Sequence, residues 1–280
     1  MGGEIADLFP GFEARHVTGD GAEIFCRIKG NGPPLLLLHG YPQTHAMWHK
    51  IAPMMAAHYT LVMPDLRGYG DSGKPPTDAD HTPYSKRAMA GDLAGLMTDL
   101  GFGKYAVIGH DRGARVAHRL TADFQDRVVK LTVLDIAPTE HMYRMTDMEF
   151  ATGYYHWFFL IQPADVPERM IGADPEFYMK KKMGQWRGKD ALFADPLGYK
   201  LAGAEGRASP MGDWIMTPRT RFADDLEFGI TAEQVDQPPP YYFVVVYQEN
   251  LHHVETSLSS GGRHRCHSAL CGSHTSIEQS

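Results

Sequence analysis

The chain has 280 residues, 43% of them hydrophobic and 22% charged, with a formal net charge of −7. That is enough apolar material for a large core, in one α/β domain with an insertion or in two small domains, and the acidic balance excludes the basic footprint of a nucleic-acid binder. No apolar run approaches the ~20 residues of a membrane span, and three cysteines make no disulfide framework and suit a reducing cytoplasm.

The N-terminal stretch from Met1 to Asp7 has neither a basic nor an apolar segment, so no signal peptide is expected. Phe12 to Val17 and Ala22 to Ile28 read as two strands of a hairpin, joined by a Gly/Asp turn. After Pro33-Pro34, the run Leu35-Leu36-Leu37-Leu38 fits a buried parallel strand, although a short apolar run could also be helical. His39-Gly40-Tyr41-Pro42 follows at once, in the place where α/β sheets bind ligands. It could be a plain turn, or the backbone N–H of Tyr41 could donate to an oxyanion.

Trp48 to His58 has apolar residues at helical spacing, and Thr60 to Met63 is another strand. The Gly/Asp-rich loop from Pro64 to Gly73 is expected to be architectural, with Asp65 and Arg67 fastening it as an ion pair. Ser85 to Leu100 predicts an amphipathic helix burying Met89, Leu93, Leu96, Met97 and Leu100.

The next stretch is the most informative. The apolar run Ala106-Val107-Ile108 leads into Gly109-His110-Asp111-Arg112-Gly113 and then a helix-compatible segment to Phe124. Strand, sharp turn and helix around G-x-Nuc-x-G is the context of a nucleophile elbow. Here the exposed side chain is a carboxylate, which points to a covalent alkyl-ester intermediate on Asp111. Val128 to Ile136 is the following strand. Asp135 at its end could orient a histidine or simply cap a loop.

From Thr139 the strand–helix alternation stops until Tyr242, and methionines and aromatics crowd together. A helical insertion laid over the sheet is expected, with its aromatics as packing or pocket lining. Lys180-Lys181-Lys182 reads as a solvated helix face. Gln237-Pro238-Pro239-Pro240 is a natural boundary before the strand Tyr241 to Tyr247. The expected units are therefore 1–139 (first part of the core), 140–236 (helical cap) and 237–280 (divergent last part of the core). In the tail, His264, Cys266, His267, Cys271 and His274 could sketch a zinc site, but their spacing matches no usual pattern, so no metal is expected.

With these segments in view, residues 30 to about 185 resemble the fluoroacetate/haloacetate dehalogenases of the α/β-hydrolase fold. The resemblance is carried by His39 to Gln43, Asp65 to Gly73, Gly109 to Arg115, Val133 to Thr139 and Tyr155 to Phe158. The first two segments are shared with epoxide hydrolases and haloalkane dehalogenases. The resemblance implies a mostly parallel sheet with an inserted helical cap and an atypical C-terminal end that could be incomplete. It implies Asp111 as nucleophile, Asp135 as the partner of a base histidine, and Arg112 and Arg115 as a clamp for the substrate carboxylate. It also implies His156 and Trp157 as halide donors, and backbone N–H groups of Tyr41 and Arg112 as the oxyanion site. It implies a small anionic substrate, no cofactor and a homodimer. The base falls on His274, although Ser273 interrupts the family's Gly-His pattern there. A cap tyrosine of the family has no counterpart between Tyr199 and Tyr241, where Tyr199 or Trp214 could substitute. Two alternatives stand beside the dehalogenase: an epoxide hydrolase of the same fold, which usually carries Trp after the nucleophile, and a catalytically impaired carboxylate binder.

Overall fold

The computed structural model describes residues 7–19, 21–78, 80–137, 139–163, 165–185, 243–246 and 254–256. Strands β1 (Glu13–Thr18) and β2 (Glu23–Lys29) form the expected antiparallel hairpin. β3 (Pro34–Leu38), β4 (Thr60–Pro64), β5 (Tyr105–His110), β6 (Val128–Leu134) and β7 (Phe243–Val246) run parallel to one another, and β8 (Val254–Thr256) turns back antiparallel. The sheet order is β1-β2-β4-β3-β5-β6-β7-β8. It is the mostly parallel sheet that the sequence implies.

The four-leucine run explains itself in this order. β3 lies inside the sheet, with both faces covered, so alternation of apolar and polar residues is not needed. Leu36 and Leu38 pack with α2 (Lys86–Asp99) and α3 (Arg112–Asp123) residues such as Leu93, Met97 and Val116. Leu35 and Leu37 face the other way, against Phe9, Phe12, Trp48 and Met63. The two cores sit on opposite faces of one strand because successive side chains alternate.

The segment from Trp48 to His58 departs from the expected helix. A 3-10 turn spans His45–Trp48, and α1 is only Ala52–Met55. Pro53 is the physical reason: it has no N–H to donate, and its ring clashes with the carbonyl four residues back, so the chain restarts with proline at the helix entry.

The loop after β4 is fastened, but not by the expected pair. Arg67 donates through Nε and Nη2 to both carboxylate oxygens of Asp92 on α2, at 2.8 and 2.6 Å. Asp65 instead accepts from the backbone N–H of His45 at 2.7 Å and of Asp71 at 2.9 Å, and its Oδ1 lies 2.9 Å from His45 Nδ1. Burial would raise the Asp65 carboxyl, but these partners outweigh it and hold it well below the usual carboxylate range. Asp92 is thus a polar residue that α2 carries inward, and it is only 1% exposed.

β5 passes into α3 through a turn at Asp111 with φ 49 and ψ −118. This is a backbone region that residues with a Cβ rarely occupy. It is held by Asp111 N–H to the Leu134 carbonyl at 3.1 Å and by the N–H groups of Ala114 and Arg115 to the Asp111 carbonyl. Gly113 is required for a separate reason: a Cβ there would lie 2.3 Å from the His39 carbonyl oxygen. After β6 the chain is helical: α4 (Thr139–Arg144), α5 (Met148–Gly153), α6 (Tyr155–Phe159), α7 (Val166–Ala173) and α8 (Pro175–Gln185). The far end of the expected insertion, at 236/237, lies outside the described residues.

Two stability measurements follow from these contacts. Asp92→Asn leaves a buried guanidinium without its counter-charge and is expected to lower unfolding free energy by about 3–5 kcal/mol in urea titrations. At the elbow, Asp111→Gly is expected to be more stable than Asp111→Ala by about 1–2 kcal/mol: relief of roughly 1–3 kcal/mol of backbone strain exceeds alanine's smaller unfolded-chain entropy advantage. Equal stabilities for the two variants would refute the strain.

Candidate active site

The parallel register brings three strand ends together. Leu38 pairs with Gly109, and His110 pairs with Leu134. The loop at His39–Tyr41, the elbow at Asp111 and the strand-end Asp135 therefore emerge side by side at the carboxyl edge of the sheet. This is where a doubly covered α/β sheet leaves room for a ligand.

Asp111 is half-buried, and the Tyr41 N–H donates to its Oδ1 at 2.8 Å. The Arg112 N–H also bonds this carboxylate. Desolvation pushes the carboxyl up, yet the charge of His110, the Tyr41 N–H and the charge and N–H of Arg112 together hold it below its ordinary value. Asp111 is thus an ionised carboxylate held by the backbone N–H groups of Tyr41 and Arg112. Gly40 makes the approach feasible, since a Cβ there would sit 2.5 Å from Asp111 Cβ.

Asp135 also has a left-handed backbone, with φ 58, which ends β6 two residues before the expected Ile136. Its Oδ2 lies 3.6 Å from His110 Nε2. The other ring nitrogen of His110 is 3.1 Å from Gln43 Oε1, which also accepts from the Gly40 N–H at 3.2 Å. An amide oxygen only accepts, so His110 Nδ1 carries a hydrogen. The His110–Gln43 link was not foreseen from sequence. The expected base His274, the zinc-like tail residues and the cap substitutes Tyr199 and Trp214 lie outside the described residues.

The two arginines share the first turn of α3 but face different aromatics. The Arg112 guanidinium lies over the Tyr41 ring, 5.5 Å from its centroid. Arg115 is largely buried, stacks 4.9 Å from the Trp157 centroid and donates to Thr139 Oγ1. Trp157 is itself wedged among Tyr143, Phe150 and Tyr154. The aromatic crowd of the insertion thus serves first as packing around an arginine.

His156 is buried on α6, and its ring stacks nearly parallel to Tyr41 at 6.0 Å. Burial first, then the positive charge of Lys182, pull its pKa down to about 3, so the ring is neutral at physiological pH. Lys182 overturns the expectation of a solvated lysine run. It is 3% exposed, its Nζ sits 3.2 Å from His156 Nδ1, and it lies 3.9 Å from the Tyr155 ring centroid. The turn of α8 at Lys182 faces the insertion's interior, and a long side chain can bury its stem while its amine finds a partner. The same helix brings Tyr178 Oη within 2.8 Å of Tyr41 Oη. Both phenols stay protonated, since burial pushes Tyr41 well above its ordinary value and Tyr178 up to about 12.

Among the described residues, no group of three or more metal-ligating side chains occurs, and no helix is long and apolar enough to cross a membrane.

The arrangement has known counterparts. A family model described as the alpha/beta hydrolase fold matches residues 33–235. A fluoroacetate dehalogenase of Burkholderia sp. is 48% identical over 189 residues, covering 68% of this chain and 62% of that protein. A soluble epoxide hydrolase of Corynebacterium sp. (strain C12) is 46% identical over 109 residues, 39% of this chain and 36% of that protein. The matched region thus spans less than two thirds of the length of either curated relative. Among solved structures, ALR0039 from Nostoc sp. PCC 7120, assigned to the α/β hydrolases, superposes with a TM-score of 0.75 at 47% identity, covering 85% of this chain and 81% of that one. A Pseudomonas aeruginosa protein assigned as an epoxide hydrolase gives 0.73 at 38% identity, covering 88% and 82%. The sheet order, the strained elbow between β5 and α3 and these matches agree: the chain belongs to the α/β-hydrolase fold family.

Proposed function

We propose that this chain hydrolyses a haloacetate of the fluoroacetate type to glycolate and halide through an ester on Asp111. The observation that carries the reading is the Asp111 carboxylate itself. It is ionised, held by the Tyr41 and Arg112 N–H groups, and shares its loop cluster with a cationic guanidinium. The 48% identical Burkholderia dehalogenase supports the substrate class.

In the first step an Asp111 oxygen attacks the halogen-bearing carbon, and the carbon–halogen bond breaks with its electron pair leaving as halide. Arg112 and Arg115 hold the substrate carboxylate at the start of α3, which converts the displacement into an oriented, unimolecular step. The N–H groups of His156 and Trp157 meet the departing halide. In the second step a water, deprotonated by a histidine that Asp135 orients, attacks the ester carbonyl carbon. The charge that develops on the Asp111 carbonyl oxygen falls to the Tyr41 and Arg112 N–H groups, which already bind that oxygen's carboxylate. The ester C–O bond breaks, the glycolate oxygen takes the proton held by the histidine, and the Asp111 carboxyl, now carrying one oxygen from water, loses its proton to solvent. His274 is the proposed base.

A second reading, epoxide hydrolysis, is favoured by the Tyr41–Tyr178 hydroxyl pair, because two protonated phenols are the groups that an opening epoxide oxygen needs. Arg112, in place of an apolar residue after the nucleophile, favours the anionic substrate.

Fluoride release from fluoroacetate, measured beside diol formation from styrene oxide, separates these readings. Asp111→Asn is expected to abolish fluoride release, and unchanged release would remove Asp111 as nucleophile. Arg115→Met is expected to raise KM for fluoroacetate about 10- to 100-fold, the worth of one charge-assisted contact. Should His274 fail as base, mass spectrometry will show the wild-type protein accumulating one carboxymethyl group on Asp111, a working nucleophile without turnover.

A further inference from the structure

Lys182 lies in the last turn of α8, at the edge of the proposed site. Its side chain is almost entirely enclosed, and its polar contact is with His156 Nδ1 at 3.2 Å. The chemistry of that contact is one-sided. An ammonium has three donors and no acceptor. The imidazole nitrogen facing it must therefore offer a lone pair, and the hydrogen of the neutral ring must sit on Nε2. An imidazolium would place two positive groups 3.2 Å apart in a buried space, which neither burial nor charge permits.

We propose that Lys182 is a positioning residue that holds His156 in the Nε2–H tautomer, so that this N–H serves as a halide donor in the reaction proposed above. The inference rests on that reading for the word halide, but not for the tautomer. The arrangement gives the site a polarised donor without a charged ring. The ammonium behind Nδ1 draws electron density from the imidazole and strengthens its Nε2–H as a donor. A permanently protonated ring would instead hold halide after it has left, and a ring with its hydrogen on Nδ1 would turn a lone pair toward the anion.

The lock depends on the charge of Lys182. Burial first, and then the neighbouring charge of Lys181, pull this lysine down to about 8. Around it stand Tyr155 on α6, whose ring face lies against the amine, and Lys181 and Tyr178 on α8. His156 in turn faces Asp111 and Arg112 of the elbow, with Tyr41 from the loop after β3 and Tyr154 stacked against it. At about pH 7 the ammonium donates to Nδ1. As pH rises through about 8 the amine becomes able to accept, an Nδ1–H ring is no longer excluded, and the donor on Nε2 is lost from part of the population.

Long-range proton–nitrogen NMR of the full chain with labelled histidine reads the tautomer directly, and His156→Gln identifies the signal among the 15 histidines. The wild type is expected to show an unprotonated Nδ1 and a protonated Nε2 at about pH 7, with the pattern shifting on a midpoint near 8. Lys182→Met, which keeps length and removes the donor, is expected to show mixed tautomers with no such midpoint. It is expected to lower kcat for fluoride release about 10- to 100-fold while KM for fluoroacetate stays within about 2-fold, since the carboxylate clamp is elsewhere. Lys182→Arg, which keeps a donor but does not titrate near neutrality, is expected to restore the tautomer and most of kcat. A wild-type ring that is cationic, or protonated on Nδ1, overturns the proposal without need of any variant. A changed tautomer with unchanged kcat in Lys182→Met overturns the halide role. No fluoride release by the wild type, with the expected tautomer and titration, overturns the dehalogenase reading and leaves the lysine lock standing.

Discussion

The hydrogen bond from the Tyr41 N–H to the Asp111 carboxylate is the contact on which the site depends. It closes only if three separate conditions hold. The β3–β5 register must align Leu38 with Gly109, so that both loops leave the sheet together. The chain must accept a left-handed backbone at Asp111, which throws the side chain forward into the space above Gly40. The carboxylate must also stay ionised while half-buried, which the Arg112 N–H and guanidinium and the neighbouring His110 secure. Sheet packing supplies the energy that keeps a strained residue in place, because relaxing the elbow would open the packed β5–α3 corner.

A second pattern runs through the molecule: buried charges are settled by partners far away in sequence. Arg67 takes Asp92, Asp65 takes His45, and Lys182, among the described residues, takes a neutral imidazole. The first two hold the long loop after β4 and keep the strand-end region rigid. The third is different in kind. Among the described residues no carboxylate faces this ammonium; a buried charge held by a neutral partner costs stability, and such a cost persists at functional sites where the field is useful. Its place beside His156 puts that field on the rim of the proposed halide site.

Much of the site was legible because its chemistry is local. Asp111 between Gly109 and Gly113, with Arg112 and Arg115 one turn apart, states the elbow and its two guanidiniums within seven consecutive residues. The Tyr41 donor was legible because a loop directly after a buried strand has few places to go. The less legible parts involve contacts across the fold. Nothing in the run Lys180-Lys181-Lys182 marks Lys182 as facing inward, since α8 mixes polar and apolar residues on all sides. Tyr178 meets Tyr41 across 137 positions of chain, and Arg67 reaches Asp92 across 25. The expected helix after Trp48 failed for a local reason that apolar spacing alone does not register, the proline at 53.

By itself, then, the sequence determined the parallel α/β architecture, the elbow and the carboxylate that stands at its turn. Strand propensity, glycine placement and a carboxylate at the turn act over a few residues, and no distant partner can change them. Only the tertiary structure decided which charges are neutralised by which groups, which nitrogen of His156 faces an amine, and that Lys182 is enclosed. Those outcomes depend on burial and on approach between elements, and both exist only after the helices that follow β6 have packed against the strand-end loops.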